Sequence, residues 1–325
     1  MADPRNDIAR FIRDNDGFLV ASHVSPDGDA LGSTAAVGHI LRALGKSFYL
    51  YNPSGMSAAY EWLPMPGELR DELPASGYEN AIIVDCGALN RAGEELAARL
   101  DPARTVNIDH HRGNPLFGAI NWADFTYSST GEMVAELADL LGVPLTGDLA
   151  ACVYTALVTD TGYFSFSYTR PETHELAARL MRGGLDCGAI NIKIQNNWTE
   201  NRIRLWTEVL SGLTFHDHGR VGAIAIPRSL FDKTGAKVED CDGLINYALR
   251  VKGMRAAVSV RENLNGQIKF SLRSTGGLDV QRIAAKFGGG GHKNAAGGSL
   301  DLPILEAQRV LIDEAVQALS AGTHD

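Results

Sequence analysis

The chain has 325 residues, 45% hydrophobic and 21% charged, the balance of a soluble globular protein with room for more than one core. Its formal charge of −9, from 30 basic and 39 acidic residues, excludes a protein that coats nucleic acid by charge alone. No apolar run reaches the roughly 20 residues that a membrane span needs.

The N-terminus is polar and carries acids, so it does not read as a signal peptide. The first half then alternates short apolar runs with helical patterns. Phe18–Ser22 reads as a strand, Asp29–Leu44 as a helix stopped by Gly45, and Ser47–Tyr51 as a second strand. Ala81–Val84 and Thr105–Ile108 are two more strands, and Thr130–Leu141, Asp148–Val158 and Glu172–Met181 are helices that cover them. Continuous apolar strands separated by helices predict a mostly parallel sheet flanked by helices. A long amphipathic stretch, Ile190–Leu210, reads as a connecting helix. Beyond it the pattern becomes α+β. Two hairpins are expected, around His216–Arg220 and Asn263–Gly266, followed by helices over Val280–Phe287 and Pro303–Leu319. The fold class is therefore α/β, with residues 1–190 as the first domain, 191–211 as a helical linker and 212–325 as a smaller α+β domain.

Charge is unevenly distributed. Nine Lys or Arg and two acids between Ile245 and Ala295 give a local +7, leaving −16 for the remainder. An acidic body with a basic patch suits a small anionic ligand. Cys86, Cys152, Cys187 and Cys241 are dispersed without a CxxC pair, so neither a zinc knuckle nor a disulfide framework is indicated, and a cytoplasmic location is expected.

Four clusters carry chemistry, and three follow a predicted parallel strand, where open α/β sheets place their ligands. The first is His23-Val-Ser-Pro-Asp27-Gly-Asp29, which also reads as a turn with Asp29 capping the next helix. The second is Asp85 and the third Asp109-His110-His111-Arg112. The fourth, Val158-Thr-Asp160-Thr-Gly162, follows a helix and also reads as its terminating turn. Together, His23, Asp27, Asp29, Asp85, His110 and Asp160 form a mixed oxygen and nitrogen set that suits Mn²⁺ or a similar cation, and four carboxylates balance two divalent ions. Arg112 reads either as a bidentate phosphate ligand or as a solvated loop residue. His39 reads as a packed histidine, and Trp198 and Trp206 as packing residues. A further segment, Gly288-Gly-Gly-Gly291-His292-Lys-Asn-Ala-Ala-Gly297-Gly, lets backbone N–H groups approach an anion, with Ala295-Ala-Gly-Gly next to a helical turn.

These motifs, in this order, resemble those of the DHH phosphoesterase superfamily. The glycine-rich segment resembles the signature of its DHHA1 substrate domain, starting at Gly288 or Gly289. In length the chain is most similar to stand-alone bifunctional oligoribonuclease/3′-phosphoadenosine 5′-phosphate phosphatases. The resemblance implies one metal held by His23, Asp27 and Asp85 and a second by Asp29, Asp85, His110 and Asp160, with Asp85 bridging. It implies that His111 touches the scissile phosphate and protonates the leaving group, with Asp109 orienting the histidines. Arg273, Ser274, Gly289, Gly290, Gly291 and His292 would hold substrate. The expected cofactors are two divalent cations, Mn²⁺ first, with Mg²⁺, Co²⁺ or Fe²⁺ as alternatives. The expected partners are short single-stranded RNA or DNA oligonucleotides and mononucleotide bisphosphates, with no membrane. A homodimer is left open by the family and specified by no sequence feature. The rival activity is a phosphodiesterase for cyclic dinucleotides or their linear products (pApA, pGpG). A non-catalytic nucleotide sensor would have lost at least one ligand, and all six are present.

Overall fold

The computed structural model describes residues 3–263 and 265–321. The contact pattern divides the chain into two units, one running to Asn197 and the other starting at Trp198.

The first unit opens with α1 (Pro4–Asp14), which the sequence reading left unassigned although Asp3 caps it and Pro4 starts it. Next come β1 (Phe18–Ala21), α2 (Gly28–Ala43), β2 (Phe48–Tyr51), β3 (Leu69–Arg70) and β4 (Asn80–Val84). They are followed by α3 (Glu94–Arg99), β5 (Thr105–Asp109), β6 (Ile120–Ala123), α4 (Thr130–Leu141), α5 (Gly147–Asp160), α6 (Pro171–Arg182) and α7 (Cys187–Gln195). The six strands pair in parallel in the order β3-β2-β1-β4-β5-β6. The chain thus winds outward in both directions from the β1–β4 pair. Loops leaving the C-terminal ends of β1 and β4 therefore diverge, the position at which open α/β sheets hold their ligands.

Strands β1, β4 and β5 are buried along their whole length, as their unbroken apolar runs require. One face packs on α2, α4 and α5 through residues such as Leu31, Val37, Met133 and Val153. The other holds Leu19, Ala21, Ile83, Cys86 and Leu96. Burial of each Leu or Ile stabilises the unit by about 1.5–3 kcal/mol. Helices α2, α4 and α5 approach closely because glycine permits it. A Cβ on Gly32 would lie 2.7 Å from the carbonyl oxygen of Cys152, and one on Gly131 would collide with Ala156. This close packing brings the start of α2, the start of α4 and the end of α5 to one point.

The expected single connecting helix is two helices. α7 stops at Gln195, and α8 (Glu200–Ser211) restarts behind Thr199, whose side chain accepts from Arg202 N. The amphipathic period continues across the break, but Asn196 at the end of α7 leaves the helical region and Thr199 offers a cap.

The second unit contains α8, β7 (Thr214–His216), β8 (Val221–Ile226), α9 (Arg228–Thr234) and α10 (Leu244–Leu249). It continues with β9 (Ala256–Glu262), β10 (Ile268–Ser274), α11 (Val280–Ala285), β11 (Gly290–His292), β12 (Ala295–Leu300) and α12 (Ile304–Ala321). The mixed sheet runs β11-β12-β10-β9-β8-β7, with β8 and β9 parallel. One face packs on α11 and α12 through Val258, Phe270, Leu272, Ile283 and Leu311. The other meets α8 and α10 through Leu205, Trp206 and Ile245. Trp198 and Trp206 pack on one another at 4.5 Å with the Arg202 guanidinium over both rings. Both expected hairpins are present; Leu264 of the second lies outside the described residues. Ala295-Ala-Gly-Gly, expected next to a helical turn, instead opens strand β12, antiparallel to both β10 and β11.

None of the four cysteines is paired. Among the described residues no helix is long and apolar enough to cross a membrane.

Candidate metal centre

The four motifs converge at the C-terminal ends of β1, β4 and β5. His23 Nε2 lies 3.6 Å from Asp85 Oδ2 and 3.9 Å from Asp27 Oδ1. His110 Nε2 lies 3.2 Å from Asp160 Oδ2, 3.6 Å from Asp29 Oδ2 and 3.6 Å from Asp85 Oδ1. His23, Asp27 and Asp85 thus form one group whose ligand atoms lie within 4.8 Å of each other, and Asp29, His110 and Asp160 form another. Asp85 faces both, one oxygen toward each histidine. Two ligands each ~2.1 Å from one ion at octahedral angles lie ~3 Å apart, close to these separations. Asp85, His110 and His111 form a third such group.

Each side chain is fixed from behind. His23 Nδ1 is 2.9 Å from the carbonyl oxygen of Val24, and His110 Nδ1 is 3.3 Å from that of Tyr127. A carbonyl only accepts, so Nδ1 carries a proton in both rings and Nε2 is the atom turned toward the carboxylates. Asp29 accepts from the backbone N–H groups of Thr130 and Gly131 at 2.7 and 2.9 Å, and from the Ser33 hydroxyl at 2.9 Å. Thr130 Oγ1 donates to Asp85 Oδ1 at 3.1 Å. Asp85 itself is buried and adopts φ +53, a left-handed conformation that a non-glycine residue holds only under constraint. Its N–H donates to the Ile108 carbonyl at 3.0 Å, which ties it to β5. Asp27, not Asp29, caps α2, accepting from the N–H groups of Asp29 and Ala30. The cap and the 3.9 Å approach to His23 fall on the same oxygen, Asp27 Oδ1.

The electrostatics point to cations. Burial and the charges of Asp85, Asp160 and Asp27 push the Asp29 carboxyl well above its ordinary range. Burial, with Asp85 and Asp27, raises Asp160 to about 7 against the pull of His110. Burial also lifts Asp85, but His23, His111 and His110 outweigh it and hold this carboxyl below its ordinary value. Asp160 Oδ2 is buried with no hydrogen bond and faces His110 Nε2 at 3.2 Å. A buried carboxylate oxygen with no hydrogen bond is costly unless a cation stands with it. The residues present therefore fit a pair of divalent ions.

His111 is half-buried, with Nδ1 2.7 Å from Asp109 Oδ1 and 3.6 Å from Asp85 Oδ1. Burial lowers its pKa, but the Asp109 hydrogen bond and the Asp85 and Asp109 charges more than reverse this. Asn114 Nδ2 donates to the other Asp109 oxygen at 2.7 Å. Arg112 is exposed and stacks on Phe125, 4.1 Å from its centroid. Sequence reading missed Ser33, Asn114 and Thr130. The run Ser128-Ser-Thr-Gly131 at a helix start was the one available signal for Thr130, since a backbone donor leaves no trace in side-chain identity.

In the second unit, Arg273 is the penultimate residue of β10 and donates to the Leu272 carbonyl at 3.0 Å, with no ion pair among the described residues. Ser274 is buried. Its hydroxyl donates to the Leu278 carbonyl and accepts from Asn294 Nδ2 at 2.9 Å, so it is committed internally. Gly289 and Gly291 are glycine because backbone lies against them. A Cβ on Gly291 (φ +137) would sit 2.5 Å from the Ala295 carbonyl oxygen, and one on Gly289 would strike that of Gly297. Gly290 has open space at that position. The backbone of His292 ends β11; its side chain lies outside the described residues. His39 bonds the Pro64 carbonyl at 2.7 Å, a packing role.

Residues 17–157 match the model of the DHH family N-terminal domain, and residues 222–321 match that of the DHHA1 domain. A bifunctional oligoribonuclease and PAP phosphatase NrnA of Thermus thermophilus is 36% identical over 299 residues, 90% of this chain and 87% of that protein. Its namesake of Bacillus subtilis is 26% identical over 95% of this chain and 97% of that protein. Among solved structures, an exopolyphosphatase-related protein from Bacteroides fragilis matches with a TM-score of 0.90 at 28% identity, covering 98% of this chain and 96% of that one. The chain belongs to the DHH/DHHA1 family and is a metal-dependent phosphoesterase.

Proposed function

We propose that this chain hydrolyses phosphate esters of short nucleotides, namely oligonucleotides of about two to five residues and 3′-phosphoadenosine 5′-phosphate, with two Mn²⁺ ions. The observation that carries the reading is the pair of carboxylate–histidine groups meeting at Asp85. His23, Asp27 and Asp85 would hold one ion, and Asp29, Asp85, His110 and Asp160 the other. Carboxylate with imidazole, and no thiolate, favours Mn²⁺ over structural zinc. When bound, such a pair supplies an activated water and neutralises charge on the phosphoryl group. The relatives' names supply the substrate class.

The remaining roles belong to the chain's own groups. Asp109 holds the His111 ring and favours its protonated form, so His111 can give a proton to the leaving oxygen. Asn114 in turn keeps Asp109 in place. Arg273 is a half-buried guanidinium with no acid partner among the described residues, and burial lowers its pKa. A phosphate would satisfy it bidentately. Gly290 leaves its backbone open beside Arg273's neighbouring strand, and Arg112 adds an exposed cation near His111. The unpaired cysteines agree with a cytoplasmic setting.

The test is hydrolysis of pApA, 3′-phosphoadenosine 5′-phosphate and cyclic di-AMP side by side, with Mn²⁺ and with chelator, using Asp85→Ala as control. Mn²⁺-dependent turnover of the first two, lost in the variant, is expected. Preference for the cyclic compound would move the reading to cyclic-dinucleotide turnover.

A further inference from the structure

The loops that carry the ligands also carry apolar side chains in water. After Asp160 the chain makes a tight reversal in which Tyr163 and Phe164 both adopt left-handed conformations, φ +57 and +62. Ser165 N and Phe166 N donate back to the Thr161 carbonyl at 3.0 and 3.1 Å. Strain at two consecutive non-glycine residues is kept only where the surroundings fix it. Phe164 has a packing reason for its position, since it lies against the first unit's core and stacks on His174 at 4.9 Å. Phe166 and Tyr168 have none. They are 48% and 51% exposed, although both are large aromatics.

Both rings are nevertheless held in place beside the metal centre. The Tyr168 hydroxyl donates to the Asp160 carbonyl oxygen at 2.7 Å. The Phe166 ring lies over Gly162, where a Cβ would come within 2.6 Å of it; Gly162 is itself left-handed, at φ +54. The two ring centroids are 5.6 Å apart at an interplanar angle of 44°. A fixed, water-exposed aromatic pair one short loop from a ligand side chain marks a binding surface. A phosphate at the carboxylate–histidine cluster carries its base one ribose away. Every nucleobase has a π-face, so a stacking surface accepts bases without selecting among them.

We propose that Phe166 and Tyr168 form a shelf on which the nucleobase next to the bound phosphate stacks, making them specificity-determining residues that favour nucleotides over other phosphate esters. This rests on the substrate reading above. Tyr168 contributes its ring to the base and its hydroxyl to the Asp160 backbone, so the shelf and the second ion group are mechanically joined.

The test is equilibrium binding of AMP and of ribose 5-phosphate to the Mn²⁺-loaded protein by titration calorimetry. The wild type is expected to bind AMP about tenfold or more tightly than ribose 5-phosphate. Phe166→Ala and Tyr168→Ala should each reduce that ratio toward one, and Tyr168→Phe, which keeps the ring, should retain it. A wild-type ratio near one, or a ratio unchanged in both alanine variants, overturns the shelf. So does a variant that changes sedimentation from dimer to monomer without changing the ratio, because the pair would then cover a second copy of the chain. Hydrolysis of pApA and 3′-phosphoadenosine 5′-phosphate by the same preparations separates the two readings. Absent turnover with an intact AMP preference breaks the substrate assignment alone, and normal turnover without the preference breaks the shelf alone.

Discussion

The metal centre of the first unit and the glycine hairpin of the second place polar groups by different means. In the centre, side chains converge, and nearly every one is held by a further hydrogen bond. His23 is held by the Val24 carbonyl, His110 by that of Tyr127, Asp29 by Ser33 and the start of α4, and His111 by Asp109 and then Asn114. In the hairpin, Gly289 and Gly291 have no side chain to place; they let backbone pass where a Cβ would collide. The first arrangement fixes chemistry through identity at named positions. The second fixes shape through the absence of atoms, so its failures should appear as lost stability or weaker binding before lost chemistry.

Four variants sharpen this contrast. Asp109→Asn removes the charge beside His111 and leaves one acceptor oxygen where two now serve His111 and Asn114, while both ligand groups stay intact. It should lower kcat by about 10–100-fold while Mn²⁺ binding is retained, measured by steady-state kinetics and metal titration. Equal loss of metal would place His111 among the ligands, as the group Asp85, His110 and His111 allows. Arg273→Ala should raise KM by about tenfold with a smaller change in kcat, since it removes the proposed phosphate contact, far in sequence from the ion groups. Arg273→Lys should recover part of that loss, because a point charge replaces a bidentate fork. Gly291→Ala should destabilise the second unit by about 1–3 kcal/mol, read as a shifted unfolding transition, while the first unit still binds Mn²⁺. A lost metal site in that variant would show that the two regions are not separable in this way.

The same contrast explains what the sequence disclosed. Asp85 and Asp109-His110 were legible because each comes at the end of an apolar strand, as a break from Val84 or Ile108 to Asp; Asp27 and Asp29 open α2 and Asp160 closes α5, and these showed as acids at helix ends. The roles of Thr130 and Gly131 were hidden, because the atoms that grip Asp29 are backbone N–H groups common to every residue. Strand β12 was hidden because Ala295-Ala-Gly-Gly has low strand propensity, and pairing on both sides overrides it. Edge strand β6 was missed because four residues, Ile120–Ala123, show too little alternation to register. The split between α7 and α8 was missed because amphipathic spacing runs on across Asn196–Thr199, and only the cap at Thr199 marks the restart.

The two-ion centre is tested by anomalous diffraction at the manganese edge on crystals soaked in Mn²⁺. Two peaks are expected about 3.5–4 Å apart, one against His23, Asp27 and Asp85, the other against Asp29, His110 and Asp160, with an Asp85 oxygen reaching each. A single peak, or two peaks that do not share Asp85, would contradict the centre described here.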